Sequence, residues 1–521
     1  MKAQDYQISS EKFKFCADNA NLHDKKLETK PVTYFRDAFN RFCRNKGSIL
    51  AAWVIIFLIL FSIVGPWLTP YTVAYQDPAY SFCLPRNELF YNMGLGFWDG
   101  CKEGKDLNEY TYIMHLSTQM EIGRPVIVGD VEKKTEVYMK QEMTSYSYRY
   151  DTYNEVGMKF VLLTDEEYAD LQRYQDEKGI QVIYPTTDPA RRPSEENPSQ
   201  LIYANPNDLA KVWFHVKKDG SINYDENGNL RPIYLKDPTT EKDNYTSKML
   251  WEGEEKQYAY AIEMQDSWQV RVDYREYYAY THYKQGDGIT YPNFLFGANN
   301  LGKDVFVCLA SGARFSFILA VIVASVNLFV GAIYGAIEGY YGGKLDIMME
   351  RFVELLSSIP FMIVITLLKY HFNASHILIL FMAFFLTGWT GMAGRTRMQF
   401  YRFKNQEYVL VARTLGANDR RIMFKHIFPN AVGTLITSSV LVIPGVIFSE
   451  TSLSYLGIIN LSTGNMTSVG TLLSTGQNYL YTYPHMIVFP ALFISLLMLC
   501  FNLFGNGLRD AFNPSLRGTE D

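Results

Sequence analysis

The sequence lacks the motifs that would let this chain carry out chemistry by itself. It has no G-x-x-x-x-G-K-[ST] phosphate-binding loop, so hydrolysis of ATP would have to come from other chains. It also has no cluster of metal-ligating residues and no nucleophile paired with a base, and no cofactor is expected in the chain. Cysteine is scarce, with six among 521 residues. These absences argue against an enzyme.

Charge is distributed unevenly along the chain. Residues 71–300 carry 24 Lys and Arg against 37 Asp and Glu, whereas the remainder carries 25 against 17. The formal net charge of −5 therefore sums over two regions of opposite sign. The two regions have to be interpreted separately.

Long apolar runs predict an integral membrane protein. The run 47–76 has no charged side chain, and a span needs only about 20 apolar residues. It is not a cleavable signal peptide, because it begins too late, is too long, and contains Gly65-Pro66-Trp67 rather than a small-residue cleavage site. Five further candidate spans follow in the chain. The second of them is the weakest, and it would alternatively be re-entrant or strongly tilted. These candidates are 314–337, 352–370, 375–393, 429–449 and 484–504.

Basic residues predict the orientation of the spans, because Lys and Arg concentrate in short cytoplasmic segments. Residues 394–428 hold eight Lys and Arg against two acids. Six spans with both termini in the cytoplasm place this segment on the same face as the basic residues near the two termini, and place 71–300 outside. The terminal basic residues are Arg36, Arg41, Arg44, Lys46, Arg509 and Arg517.

About 220 residues separate the first two spans, which is too long for an unstructured loop. We predict a compact inserted extracellular α+β domain that is mainly β. It holds 26 of the 38 tyrosines, which fit either the core of a β-domain or a contact surface for a partner. Strands are expected at 145–150, 159–163, 180–184 and 211–216, a helix at 165–177, and a turn at 225–229.

Two cysteines, Cys83 and Cys101, lie in the segment that is predicted to be outside. A disulfide between them is a candidate, because that compartment is oxidising. Two unpaired thiols fit equally well, because sequence spacing cannot establish the geometry of a disulfide.

Residues 405–430 predict an amphipathic, basic elbow between two spans. Glu407 lies in the first turn of its first helix, where an acidic residue is favourable. The spacing places Tyr408, Ala412 and Leu415 on one face of that helix.

The second half of the elbow begins with a helix break. Gly416 follows the last periodic residue, where a helix end favours positive φ. Asn418 or Asp419 can cap the next helix, and Pro429 would open the fifth span. Without further information, a surface helix lying on anionic lipid fits the elbow as well as a docking element does.

The elbow resembles the EAA loop of ABC-importer permeases. In that loop a small-residue triplet is followed by Gly and, thirteen residues later, by Pro. Here these are Leu410-Val411-Ala412, Gly416 and Pro429, with the first two triplet positions departing from Glu-Ala-Ala. His426 and Phe428 replace the usual Ile and Leu. The form is similar to the oligopeptide/dipeptide/nickel branch, and most of all to its C-type subunit.

Further segments resemble the same branch in the same order, over about 294–517 and 35–67, whereas 71–290 has no counterpart in shorter members. The resemblance implies a type I ABC importer permease fold with six transmembrane helices. The segments are 300–306, 312–316, 339–346, 453–457, 464–466 and 502–514. The expected domains are a cytoplasmic segment 1–47, the first transmembrane helix 48–70, the extracellular insert 71–292, the permease core 293–507 with its coupling loop 405–430, and a cytoplasmic tail 508–521.

The resemblance also implies that the elbow docks in a cleft of an ATPase subunit. Some of the residues expected to contact the ATPase are arginines, and these fit equally well a role in which they only set the orientation of the spans in the membrane. The coupling residues would be Glu407, Tyr408, Ala412, Arg413, Leu415, Gly416, Ala417, Asp419, Arg420, Arg421 and Pro429. Separately, Gly331, Gly335 and Gly339 form a small-xxx-small row that favours close helix packing.

The function implied by the resemblance is ATP-driven peptide import across the cell membrane of a bacterium. The expected partners are a homologous B-type permease subunit, two ATPase subunits that bind ATP and Mg, and an extracellular substrate-binding lipoprotein, with membrane lipids around them and no nucleic acid. Import of nickel or another small solute is an alternative. A membrane-anchored extracellular sensor or adhesion protein, with the insert as its working part, is another.

Overall fold

The structure is a computed structural model. It describes residues 34–94, 96–138, 141–186, 260–462 and 466–512, together with the backbone of short strands at 200–201, 213–215 and 232–233. The turn predicted at 225–229 and the basic residue Arg517 lie outside the described residues.

The described part of the chain is mostly helical outside the insert. The helices, in chain order, are α1 (Tyr34–Phe42), α2 (Lys46–Val64), α3 (Glu88–Met93), α4 (Glu109–Ile122), α5 (Asp165–Lys178), α6 (Tyr274–Gln285), α7 (Val305–Tyr341), α8 (Gly343–Ser357), α9 (Phe361–His371), α10 (His376–Thr387), α11 (Thr390–Phe403), α12 (Glu407–Thr414), α13 (Asp419–Arg421), α14 (Phe428–Val440), α15 (Val442–Tyr455), α16 (Val469–Gln477) and α17 (His485–Phe512).

Five helical segments among the described residues are long and apolar enough to cross a membrane. A sixth candidate is the pair α8 and α9, which is bent by 74° at the break between them. The break contains Pro360, which lacks the N–H that would continue the helix. The weakest predicted span is thus a sharply bent pair. The five segments are Lys46–Trp67, Val305–Tyr341, His376–Phe403, Asp419–Tyr455 and His485–Phe512.

Helix α7 lies at the centre of the helical bundle. It packs against α2, α11, α14 and α15, and α2 also packs against α17. The bundle core is aliphatic and aromatic, and Leu319, Leu380 and Leu497 within it are fully buried. Because a membrane offers no hydrophobic drive between helices, this close packing supplies the cohesion of the bundle.

The described residues of the insert form three antiparallel sheets. Strand β3 lies between β1 and β2, β10 pairs with β4, β5 and β9, and β7 lies between β6 and β8. The strands are β1 (Cys101–Asn108), β2 (Ile127–Tyr138), β3 (Gln141–Asp151), β4 (Met158–Leu163), β5 (Ile183–Tyr184), β6 (Gln200–Leu201), β7 (Trp213–His215), β8 (Pro232–Ile233), β9 (Ala261–Met264) and β10 (Ser267–Asp273).

The tyrosines of β3 alternate as the sequence pattern predicts. Tyr146, Tyr148 and Tyr150 are buried and point to one face of the sheet, as period-two alternation requires. Tyr146 stacks on Tyr112 of α4 with 4.3 Å between ring centroids. These tyrosines therefore belong to the core of the insert rather than to an exposed contact surface.

The predicted strand 180–184 is shorter in the structure, where only Ile183–Tyr184 pairs with β10. The side chain of Gln175 accepts hydrogen bonds from the backbone N–H groups of Val182 (2.8 Å) and Ile183 (2.7 Å). A side chain thereby satisfies donors that a longer strand would have paired. The predicted helix is α5, and it begins with a capping box formed by Thr164 and Glu167.

An aromatic core joins the base of the insert to the bundle. Tyr71, Tyr80 and Phe294 pack together with Phe306 in the first turn of α7. In a second contact Phe82 stacks on Tyr483, just before α17, with ring centroids 4.5 Å apart. The insert is thus packed against α7 and α17 rather than attached only through its two chain connections.

Candidate functional site

The elbow predicted at 405–430 begins with helix α12. Gln406 precedes it in an extended conformation, and Glu407 occupies its first turn. The helix ends at a left-handed turn, where Gly416 has φ +82° and the N–H of Ala417 donates to the carbonyl of Ala412 at 3.1 Å. A left-handed residue at this position is the usual helix ending, and glycine adopts it without strain.

The second half of the elbow continues directly into a membrane helix. Asn418 is the cap, because its side chain accepts a hydrogen bond from the N–H of Arg421 at 2.9 Å. A π-helical turn at Ile422–Ile427 follows, and the continuous helical segment extends from Asp419 to Tyr455. The predicted fifth span began at Pro429, but in the structure the helix begins ten residues earlier.

The π-helical turn explains how the helix passes through Pro429. A proline inside an α-helix clashes with the carbonyl four residues before it and leaves one hydrogen bond unmade. The wider i→i+5 pairing of Ile422–Ile427 immediately precedes this proline, and the N–H of Phe428 donates to the carbonyl of Met423. The elbow and the membrane segment are therefore one continuous helical element.

Apolar packing fixes the elbow to the bundle. Val409, Ile422 and Ile427 are fully buried, and they cluster with Phe400 of α11 and Tyr340 of α7. The sequence prediction did not include Val409, although it precedes Ala412 by three residues on the same face. Burial of these side chains anchors both halves of the elbow.

The face predicted for α12 differs from the face that is buried. Ala412 is buried as expected, but Tyr408 is 40% exposed and Leu415 is 82% exposed. The buried pair is Val409 with Ala412, so the packed face is rotated by about one residue from the prediction. A periodic pattern gives the spacing of apolar residues but does not show which of two adjacent rows meets a neighbour.

Polar contacts add to the attachment of the elbow. The hydroxyl of Tyr340 donates to Asp419 Oδ1 at 2.6 Å, and the Arg413 guanidinium lies 6.0 Å from the Tyr340 ring centroid. Arg420 and Arg421 are exposed. The elbow thus presents basic side chains and the exposed Leu415 to its surroundings, and Asp419, which is also exposed, binds Tyr340 of α7.

A charged cluster joins α7, α8 and α11. Arg397 donates to both carboxylate oxygens of Asp346, at 2.7 and 3.1 Å, and lies 3.3 Å from Glu338 and from Glu350. Tyr401 donates a short hydrogen bond to the same Asp346 carboxylate. One guanidinium therefore connects carboxylates of two helices to α11.

Comparison with known proteins identifies the family. Residues 327–518 match the profile of the binding-protein-dependent transport system inner membrane component, and residues 33–87 match the N-terminal transmembrane domain of oligopeptide transport permease C. The chain is 41% identical over 222 residues to the oligopeptide transport system permease protein OppC of Bacillus subtilis, covering 43% of this chain and 72% of that relative. The chain belongs to this family of ABC-importer permeases.

Other relatives agree with this assignment. The permease is 39% identical over 223 residues to the dipeptide transport system permease protein DppC of Bacillus subtilis, covering 43% of this chain and 69% of that relative. Among solved structures, an inward-facing structure of the MetNI methionine ABC transporter aligns with a TM-score of 0.31 and 15% identity, covering 40% of this chain and 96% of that chain. The assignment rests on the sequence relatives, because that TM-score is low.

The family defines the general role of the permease. ABC-importer permease subunits work with a partner permease, with ATPases and with a substrate-binding protein, and they have no ATPase site of their own. The chain is therefore a multi-pass membrane component of a transporter and not an enzyme. Among the described residues, no group of three or more His, Cys, Asp or Glu could hold a metal ion.

The glycine row of α7 lies directly against α11 in the permease. A Cβ atom added to Gly331 would lie 2.6 Å from Met392 Cβ, and one added to Gly339 would lie 2.8 Å from the Arg397 carbonyl oxygen. A Cβ atom on Gly335 would overlap the carbonyl oxygen of Ala393. The three glycines let the two helix backbones approach more closely than any side chain would allow.

A buried carboxyl group lies in the middle of the permease bundle. Glu450 of α15 is fully buried, and it accepts hydrogen bonds from Ser316 (2.8 Å) and Ser454 (3.1 Å). Hydroxyl donors from α7 and α15 thus satisfy a group whose burial without partners would be costly. The sequence gives no sign of this arrangement, because Ser316 is 134 residues away in the chain.

The two cysteines of the insert lie near the same stretch of backbone. Cys83 is buried, with its Sγ 3.5 Å from the carbonyl oxygen of Thr152, and Cys101 pairs with Asp151 across strands β1 and β3. Both are free thiols in the structure. Their disulfide therefore stays a prediction.

Proposed function

We propose that the permease is the C-type subunit of an importer for oligopeptides or dipeptides. The support is the identity of 37–41% to permeases named for oligopeptide and dipeptide transport, over about 70% of the length of those relatives. The two matched segments are 33–87 and 327–518, so most of the insert lies outside them and the bundle carries the assignment. Nickel or another small solute is the alternative substrate within the same branch.

The elbow is the proposed docking element for an ATPase subunit, and one observation carries this proposal. Leu415 is 82% exposed at the tip of α12, whereas Val409, six residues earlier, is fully buried. Burial of this leucine in a partner cleft would remove its apolar surface from water, and the nearby Arg413 is of a residue type that is enriched at interface hot spots. Arg420 and Arg421, also exposed, would form the polar rim.

The attachment of the elbow provides a route for transmitting motion. Asp419–Tyr455 is one helical segment, so a force on the elbow acts on the middle of the bundle. The Tyr340–Asp419 hydrogen bond and the buried cluster around Phe400 connect the elbow to α7 and α11. ATPase closure would therefore move these helices together as a rigid body.

The proposed orientation places the elbow in the cytoplasm and the insert outside the cell. It follows from the eight Lys and Arg in 394–428 and from the acidic balance of the insert. In this orientation the elbow meets one of two ATPase subunits, which bind ATP and Mg. The bundle pairs with a B-type permease, and the insert faces a substrate-binding lipoprotein.

The substitution Leu415→Asp tests the docking proposal. We expect ATP-driven uptake of a tripeptide to fall at least about tenfold and the ATPase subunits to be lost on purification, because a charge in the apolar contact would cost about 1–3 kcal/mol or more. Leu162→Asp is the matched control, since Leu162 is 63% exposed on the insert and far from the elbow in sequence. It should leave uptake and purification of the complex unchanged.

Two results would overturn the proposals separately. Normal uptake and normal co-purification of the ATPases with Leu415→Asp would exclude the elbow as the docking element. ATP-driven uptake of nickel but not of peptide by the wild-type complex would exclude the peptide substrate and leave the docking proposal intact.

A further inference from the structure

A cleft at the base of the insert gathers three arginines from distant parts of the chain. Arg86 follows the first span, Arg124 follows α4, and Arg275 lies in the first turn of α6. The cleft has a volume of about 270 Å³, and among its lining residues the only acidic one is Glu88. Tyr80 and Arg86 fall within the matched N-terminal segment 33–87, whereas the other lining residues lie outside both matched segments.

Several buried donors at this cleft have no hydrogen-bond partner within the described part of the chain. They are the hydroxyl of Tyr80 and the Nε–H groups of Arg86 and Arg124. Tyr80 is only 1% exposed, yet it lines the cleft. An unpaired buried donor costs about 1–3 kcal/mol, so three of them in one cleft call for an acceptor that enters it.

The acids that form ion pairs with Arg86 and Arg124 do not line the cleft. Asp273 and Glu276 bind the two Nη groups of Arg124 at 2.8 and 3.2 Å, which leaves its Nε–H unpaired. Asp151 lies 3.4 Å from Arg86, and it also accepts hydrogen bonds from the backbone N–H groups of Tyr153 and Asn154. These acids hold the arginines in place behind the cleft wall.

Arg275 is oriented by an aromatic ring rather than by any acid of the described residues. Within the described residues it forms no ion pair, and its guanidinium lies 5.1 Å from the ring centroid of Tyr291. Arg86 lies in the same way over Tyr91, at 4.1 Å. Such stacking orients a guanidinium and leaves its edge free to bind a carboxylate through two parallel hydrogen bonds.

We propose that this cleft binds a short peptide through its free C-terminal carboxylate, with Arg275, Arg86 and the Tyr80 hydroxyl as donors. The aromatic walls, Tyr91 and Tyr291, would contact its side chains. The charges of the cleft suit a zwitterionic peptide. Its carboxylate would bind the arginines, and its ammonium group would face Glu88 at the rim. The proposal rests on the proposed peptide substrate, and it makes the insert a second peptide site outside the translocation pathway.

The experiment measures binding of trialanine to the purified transporter complex, without the substrate-binding protein, by isothermal titration calorimetry. We expect saturable binding that weakens about tenfold or more when the C-terminus is amidated, because charge-assisted hydrogen bonds are lost. Arg275→Gln should cause a similar loss, and amidation should then have little further effect. Arg275→Lys should restore part of the affinity.

Arg173→Gln is the matched control. Arg173 lies on α5 of the same insert, is 66% exposed and pairs with Asp170, so its loss should leave trialanine binding unchanged. Equal affinity for the free and the amidated peptide, no binding at all, or unchanged binding by Arg275→Gln would overturn the proposal. In particular, trialanine binding that does not depend on Arg275 would show that the peptide binds elsewhere in the complex.

Uptake separates failure of this site from failure of the proposed function. If the wild-type complex imports trialanine but Arg275→Gln binds it normally, only the cleft proposal is wrong. If the wild-type complex binds trialanine through Arg275 but imports no peptide, the proposed substrate is wrong and the cleft remains a peptide site.

Discussion

Burial controls the chemistry of the two cysteines in the insert. It raises the pKa of the Cys101 thiol to about 12, and it raises that of Cys83 well above its usual range. In both cases the removal of the sulfur from water is the largest cause, and the negative charge of Asp151 adds to it. The thiolate, which is the reactive form, is therefore rare at neutral pH.

The pH dependence of alkylation tests this effect at Cys101. With a reductant present, we expect the rate of its reaction with iodoacetamide to rise about tenfold per pH unit from pH 7 to about 10, because the thiolate fraction keeps rising below the pKa. An ordinary thiol would level off near pH 8.5 to 9. The measurement is mass spectrometry of the Cys101 peptide after timed alkylation of the native protein.

A plateau near pH 8.5 would contradict the predicted shift for Cys101. The same peptides, analysed after unfolding without a reductant, test the disulfide with Cys83. If both sulfurs then resist alkylation and react after reduction, the disulfide has formed. If both react at once, the thiols are free in the mature protein.

Single residues with local signals could be predicted from the sequence. Gly416 has positive φ and Asn418 is a helix cap, and both follow from the residue type next to a periodic helix. By contrast, Arg397 meets Asp346 across 51 residues of chain, and Ser316 meets Glu450 across 134. Such partners are set by helix packing, which no local pattern reports.

Among whole elements, the packing of α7 against α11 depends on the three glycines of α7. Small residues at this spacing lie on one side of a helix, so the row itself was visible in the sequence. The sequence could not show which helix would face the row. The structure places Ala393 and Phe400 of α11 against it.

The substitution Gly335→Ala tests this contact. A Cβ atom at Gly335 would overlap the backbone of Ala393, which cannot rotate away as a side chain could, so α7 and α11 must separate. We expect a loss of stability of about 1–3 kcal/mol, seen as a lower melting temperature of the detergent-solubilised permease and a smaller yield of folded protein.

Gly391→Ala is the control for the substitution at Gly335. Gly391 lies in α11, and a Cβ atom there would meet nothing within 4 Å. Alanine should be neutral or stabilise by up to about 1 kcal/mol, because it is the better helix former. A melting temperature that falls equally in both variants would show that the glycine row has no special packing role.

Long, charge-free runs made the membrane elements predictable, whereas their irregularities were harder to predict. The bend at Pro360 agrees with the weakness of the predicted span 352–370. The π-helical turn before Pro429 has no sequence signal beyond the proline itself. It extends the helical segment back to Asp419 and makes the elbow part of the membrane element.

In the whole molecule, the insert and the elbow lie at opposite ends of α7. The aromatic core of the insert packs on Phe306 in the first turn of this helix, and the elbow packs on Tyr340 near its last turn. A 37-residue helix at 1.5 Å per residue extends about 55 Å, which exceeds the thickness of a bilayer. If α7 spans the membrane, the two parts must lie on opposite sides of it.

The orientation can be tested with single cysteines in a background where all six native cysteines are replaced by serine. We expect a membrane-impermeant maleimide to label Lys134→Cys, on strand β2 of the insert, in intact cells. Arg420→Cys, on the elbow, should react only after the cells are permeabilised. The chain should be expressed without ATPase subunits, because a docked subunit would shield Arg420.

Labelling of Arg420→Cys in intact cells would place the elbow outside, where no ATP-driven subunit could reach it. Coupling through Leu415 would then be impossible, whatever the sequence similarity.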